Sequence, residues 1–237
     1  MDEAALNVII EDLYALYDGN ASIEVAAESQ RAAILSHGWY MRVRRNGRAL
    51  QVLTAAGFEH EGAPLRRSMI EHALGLHWLA DAAEDAVDAL LTGHRETWKK
   101  IAGSMTDGWP VTPEDLNPVL SIEIPKSSES TNLAFKHLCE RYDEPNLYVA
   151  WLLETGHSHA SYASATAYVD GDGTAAGTKL LWKAANHPQT TAGVVANLLY
   201  VASVGFNKIL TGQPYAAPLE GICSRMGVAI HGGEQTE

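Results

Sequence analysis

Residues 65–80, LRRSMIEHALGLHWLA, are apolar almost all the way round a helix, yet they carry Arg67 and Glu71 four positions apart. A helix that is hydrophobic on nearly every side belongs in an interior, so the rest of the chain must wrap around this one. Charges withdrawn from water need partners. Side chains four apart on a helix are near enough to pair directly or to share a third group. A second stretch, WLLETGHSHASYASATAY at residues 151–168, has a similar character. The helical period puts its Glu154, His157 and Ser161 on one face. The two helices are expected to meet inside the molecule with their ionisable groups face to face.

The same period runs through most of the chain. Residues 6–17 read as a short amphipathic helix and residues 24–56 as one long helix. In the latter, Leu35, Trp39, Val43, Leu50 and Leu53 lie on one side and the arginines between 42 and 48 on the other. A turn at 57–62 leads into the central helix. Asp81, Glu84 and Asp85 suit the start of the next helix, which runs to about residue 104. Four prolines at 110, 113, 118 and 125 mark residues 107–126 as a linker or lid. Further helices are expected near 130–141, 146–168, 190–210 and 218–228. There is no βαβ alternation and no glycine-rich phosphate loop after a strand. A chain of 237 residues that is 46% hydrophobic can bury one substantial core. The expectation is therefore an all-α fold: a single domain over residues 1–237, a bundle of about seven mainly antiparallel helices with a short flexible C-terminal tail.

The net charge of −12 argues against general nucleic-acid binding. It is unevenly placed. Residues 31–67 hold Arg31, Arg42, Arg44, Arg45, Arg48, Arg66 and Arg67 against only Glu59 and Glu61. Such a stretch either pairs with acidic elements of its own fold or meets an anionic small molecule, an acidic protein surface or another copy of the chain. The first residues lack the basic start of a signal peptide, and Cys139 and Cys223 lie in no metal-binding or redox spacing. A cytoplasmic protein with free thiols and no membrane span is expected. Residues 192–206 read as a core helix. No cofactor motif is present. DGDGTAAG at 170–177 begins like a calcium loop but lacks the later acidic positions.

Three constellations carry what chemistry there is. Arg67 and Glu71 are either a bolt that fixes helix register or a pocket in which arginine holds an anion or phosphate and glutamate positions a proton. Glu154, His157 and Ser161 on one straight helix lack the strained turn that presents a serine nucleophile. Glu154-x-x-His157 has the spacing of di-iron bundles, but no second copy of the motif exists. These residues also fit a hydrogen-bonded polar seam, with small residues admitting a close neighbour. Finally, Arg67-x₄-His72 resembles the Arg-x₄₋₆-His signature of the metal-independent HEPN ribonucleases. Ser68 stands where those enzymes usually have Asn, Asp or His, and the motif lies early in the chain.

The long helix leading into LRRSMIEHALGLHWLAD and the later ETGHSHASYAS resemble the bacterial domain-of-unknown-function family 5677. Its R-S-x-x-E element falls on Arg67, Ser68 and Glu71. A later S-x-x-x-H-x-S element falls partly on His159 and Ser161, with Thr155 in place of the first serine. The resemblance covers about residues 25–210 and implies a helical fold and this choice of site, without a reaction. Arg67, Glu71, His72, Glu154, His157 and Ser161 are the candidate site residues. Three readings stay open: an anion or phosphate site, an HEPN-like ribonuclease, and a non-catalytic protein-binding or assembly module that meets an acidic partner or another copy of itself.

Overall fold

A computed structural model describes residues 1–18, 24–26, 29–106, 110, 112, 114–170, 178–184 and 191–227. Among these are nine α-helices: α1 (Glu3–Ala15), α2 (Gln30–Ala55), α3 (Ala63–Ser104), α4 (Asn117–Leu120), α5 (Phe135–Arg141), α6 (Pro145–Ser158), α7 (Tyr162–Thr166), α8 (Thr191–Ile209) and α9 (Ala216–Met226). The fold is all-α but for a two-residue antiparallel ladder, β1 (Val169–Asp170) with β2 (Lys179–Leu180). The helix count exceeds seven because two of the nine are only four and five residues long.

Helix α3 is the axis. The two helices expected at 65–80 and 81–104 are one element of 42 residues, bent where Ala83 takes φ 42° and ψ −118°. Met69, Ala73, Leu76 and Leu79 are wholly buried against α2 and α8. Helix α8 seats closely because Gly205 has no side chain: a Cβ there would stand 2.9 Å from the Leu76 Cβ and 2.8 Å from the His77 ring. Tyr40 of α2 stacks on Phe206 of α8 at 4.7 Å, and its hydroxyl hydrogen-bonds with Ser203 Oγ at 3.2 Å. Helix α8 has the length and hydropathy to cross a membrane, yet 61% of its apolar window is buried inside the fold.

Helix α1 starts on Asp2, whose carboxylate accepts from the Ala5 amide at 2.8 Å, and it buries Ile9, Ile10 and Leu13. The arginines of α2 hold it and neighbouring elements by charge. Arg44 pairs with Asp18 at 2.6 Å, Arg48 pairs with Glu11 and covers the Tyr14 ring at 3.7 Å, and Arg31 reaches Glu84 and Asp88 of α3 at 3.0 and 2.7 Å. Much of the basic stretch is thus paired within the fold, while Arg42 and Arg45 are exposed.

Two helix expectations need correction: the long helix expected from residue 24 begins at Gln30, residues 24–26 being non-helical, and the one at 146–168 is broken. The helix expected at 146–168 stops at Ser158, and a separate short helix begins after Ser161. In the proline-rich stretch, the described part after residue 114 contains a 3-10 turn (Glu114–Leu116) and α4, with Leu116 buried. The calcium-like positions 171–177 and the tail from 228 lie outside the described residues. Cys139 and Cys223 are buried thiols with no disulfide between them.

Candidate functional site

Consecutive residues on a helix point about 100° apart, and on α3 that separates Arg66 from Arg67. Arg66 faces inward and is 1% exposed. Its Nε donates to Glu154 Oε1 of α6 at 2.8 Å and its Nη1 to the Glu59 carbonyl at 2.7 Å. Glu154 is 4% exposed, so this is a buried ion pair between α3 and α6. The two helices do meet face to face, but the deep arginine is the neighbour of the one singled out. The signal was present: Arg66, Met69, Ile70 and Ala73 are all buried, at the i, i+3, i+4, i+7 spacing of one helix face.

Arg67 lies at the edge of the same contact, half-buried. Its Nε donates to Glu71 Oε1 at 3.2 Å and its Nη1 to His159 Nε2 at 2.7 Å. Its guanidinium sits 5.0 Å from the centre of the Trp151 ring, and Trp151 Nε1 donates to the same Glu71 oxygen at 2.7 Å. Arg67 and Trp151 therefore fix the Glu71 carboxylate from two sides.

One residue on, His72 turns into a cleft. Its Nδ1 lies 2.7 Å from the Ser68 carbonyl, an oxygen that only accepts, so Nδ1 carries the proton and Nε2 presents a lone pair. Burial lowers its pKa below the usual histidine value, which keeps the ring neutral. The cleft has a volume of about 290 Å³ and runs between Trp39, Trp78, Leu133 and Phe135, with Glu71 and His72 as polar groups on its wall. Gly75 matters here, because a Cβ would stand 2.5 Å from the Trp39 ring; only a bare backbone lets that indole come so close to α3. Trp78 is pinned at the other side by its Nε1–H bond to Glu129 at 2.7 Å, a carboxylate shared with Asn132 and Arg141.

The remaining candidates go elsewhere. His157 lines a separate polar hollow of about 320 Å³ with His60, Glu61, Ser164 and Tyr168, and its ring stands edge-on to His60 at 5.5 Å. The Tyr168 hydroxyl donates to Glu61. His60 belongs to no recognisable spacing motif in the sequence, so pattern reading passes over it. Ser161 does not share a helix face with Glu154 and His157. It is the N-cap of α7, forms a reciprocal capping box with Ser164, and donates its hydroxyl to the Gly156 carbonyl. The six candidates are therefore divided: Glu71 and His72 at an aromatic cleft, Arg67 bracing Glu71, Glu154 in the buried pair, His157 in the polar hollow, and Ser161 in a cap. Among the described residues, no group of three or more His, Cys, Asp or Glu side chains is arranged to hold a metal ion.

Within the R-S-x-x-E element Arg67 is bonded to Glu71, while the Ser68 carbonyl accepts from His72 just beyond it. A family of unknown function, DUF5677, matches residues 33–176. The chain belongs to DUF5677. No curated protein and no solved structure matches it. The DUF5677 segment runs from within α2 past α7 and contains all six candidate residues together with Arg66, whereas α1, α8 and α9 lie outside it.

Proposed function

We propose that the cleft between α2, α3 and α5 binds a small, flat aromatic molecule that carries a hydrogen-bond donor or a positive charge. The observation that carries this reading is the cleft's combination of groups. Its walls are the rings of Trp39, Trp78 and Phe135, and its polar groups include two acceptors, the Glu71 carboxylate and the His72 Nε2 lone pair. Apolar concavities with a few fixed polar groups are the usual form of small-molecule sites. Aromatic walls also favour a cationic group over one that is negative.

This changes the chemistry expected of the ligand. An anion or phosphate would need Arg67, whose guanidinium already has Glu71 and His159 as partners. The ribonuclease reading has less support as well. Arg67 and His72 are five residues apart, about 140° round the helix, and bond to different neighbours. Binding rather than catalysis is the reading best supported.

Tryptophan emission tests it, since two of the walls are indoles. Titration with an aromatic amine should quench the emission saturably, and the matching aromatic carboxylate should not. Glu71→Gln and His72→Phe should each weaken the amine by roughly tenfold, about the worth of one hydrogen bond to a charged or buried partner. Equal binding of amine and carboxylate, or binding unchanged in both variants, would refute the assignment.

A further inference from the structure

Three arginines of α2 open onto one groove. It has a volume of about 660 Å³, with Tyr14 and Asp18 on one side and Arg44, Arg45 and Arg48 on the other. That is the size of a small-molecule site. Two of the three guanidiniums are already neutralised. Arg44 Nη2 donates to Asp18 Oδ1 at 2.6 Å and to the Tyr14 carbonyl at 2.9 Å, and Arg48 is paired with both carboxylate oxygens of Glu11. Arg45 differs. It is exposed on the groove wall, and among the described residues it forms no ion pair and no hydrogen bond. The groove thus keeps one uncompensated positive charge in a chain whose net charge is −12.

The rest of the wall is aliphatic. Ala49, Val52 and Leu53 follow Arg45 by one and two helical turns, a run of about 11 Å, and Met41 lies one turn before it. Tyr14 offers no flat platform, because it is 3% exposed and the Arg48 guanidinium covers its ring at 3.7 Å. We infer that the groove binds a monocarboxylate with an unbranched aliphatic chain, its head on the Arg45 guanidinium and its tail along Ala49, Val52 and Leu53. Guanidinium and carboxylate match as planar groups joined by two parallel hydrogen bonds. The neighbouring acids weigh against larger anions. The Asp18 and Glu11 side chains are 69% and 57% exposed beside the arginines they neutralise. A phosphate, a polyanion or an acidic protein surface would meet those like charges together with Arg45, whereas a single carboxylate needs Arg45 alone. The aliphatic wall then selects for length, since each methylene laid on it leaves water. This groove shares no residue with the aromatic cleft, so the two assignments stand or fall separately.

Isothermal titration calorimetry with butanoate, octanoate and decanoate, each kept below its micelle concentration, is the test. Affinity should rise with length, by roughly two- to fourfold per methylene, and decylamine should not bind. Arg45→Gln should weaken decanoate about tenfold, the worth of one hydrogen bond to a charged group. Val52→Asp should weaken it at least as much. Arg42→Gln removes an exposed arginine of the same helix that does not line the groove, and it should leave binding unchanged. That control separates a seat at Arg45 from a general loss of positive charge. A wild type that ignores decanoate overturns the inference, whether the groove then takes an acidic protein surface, a second copy of the chain or nothing. Equal binding of decylamine and decanoate overturns it, as does an Arg45→Gln variant that binds like wild type or like Arg42→Gln. Far-ultraviolet circular dichroism checks that each variant keeps its helices. Should Val52→Asp fail to fold, the two arginine variants decide alone.

Discussion

Arg66 and Glu154 hold opposite charges where almost no water reaches them. Such a pair costs much of its attraction in lost hydration, but removing one member leaves the other charged and buried. Arg66→Met should therefore lower the unfolding free energy by about 3–5 kcal/mol, and Glu154→Leu should do similar harm. The double variant, with both charges gone and the volume kept, should recover most of that loss in urea unfolding. Additive losses in the double variant would show that the two residues act separately. The pair was only half legible beforehand. A charge at the edge of an apolar run is easily read as the outward one, and two adjacent arginines give no reason to choose between them. What separates them is phase. Arg66 keeps step with Met69, Ile70 and Ala73, and Arg67 falls one position out of step.

Among the elements, α3 holds its strain at a single residue. Ala83 has φ 42° and ψ −118°, a backbone conformation that a side chain with a Cβ rarely adopts and glycine enters freely. Ala83→Gly should raise stability by about 1 kcal/mol, read as a higher urea midpoint at an unchanged slope. No gain would mean that the bend stores nothing a glycine can release. The apolar period showed that residues 65–104 were helical but not how they were joined, since no proline or glycine marks the bend. The break after α6 was hidden for the opposite reason. Gly156 and the hydroxyls that follow read as small packing residues of a continuing helix, when Ser161-x-x-Ser164 is in fact the start signal of a new one. The meeting of α3 with α6 was legible because both stretches are too apolar to lie in water. The aromatic cleft was not, because Trp39, Phe135 and Trp78 come from three separate elements and no spacing links them.

For the whole molecule, the histidines make stability depend on pH. His77 is held below the usual histidine pKa by burial, and then by Lys208, although Asp81 and the Val201 carbonyl it bonds to act the other way. His72 is likewise lowered by burial, and Arg42 adds to this, against the Ser68 carbonyl and Glu71. Both rings are neutral in the fold and take up protons more readily once it opens. The stabilisation is complete above the ordinary value of 6.5 and is lost as pH falls below it, by up to about 1.4 kcal/mol per pH unit for each ring. Urea midpoints measured from pH 8 down to pH 5 should fall below about pH 6.5. His77→Gln should flatten part of that decline, and an unaltered profile would remove His77 from the account.

The seat that Gly205 provides for α8 has a bearing on DUF5677 itself. The matched residues end before α8 begins, so the shared segment leaves one flank of its longest helix, around Leu76, bare. In this chain α8 covers that flank, so a segment cut to the matched residues alone would open Leu76 and the apolar side chains around it to water.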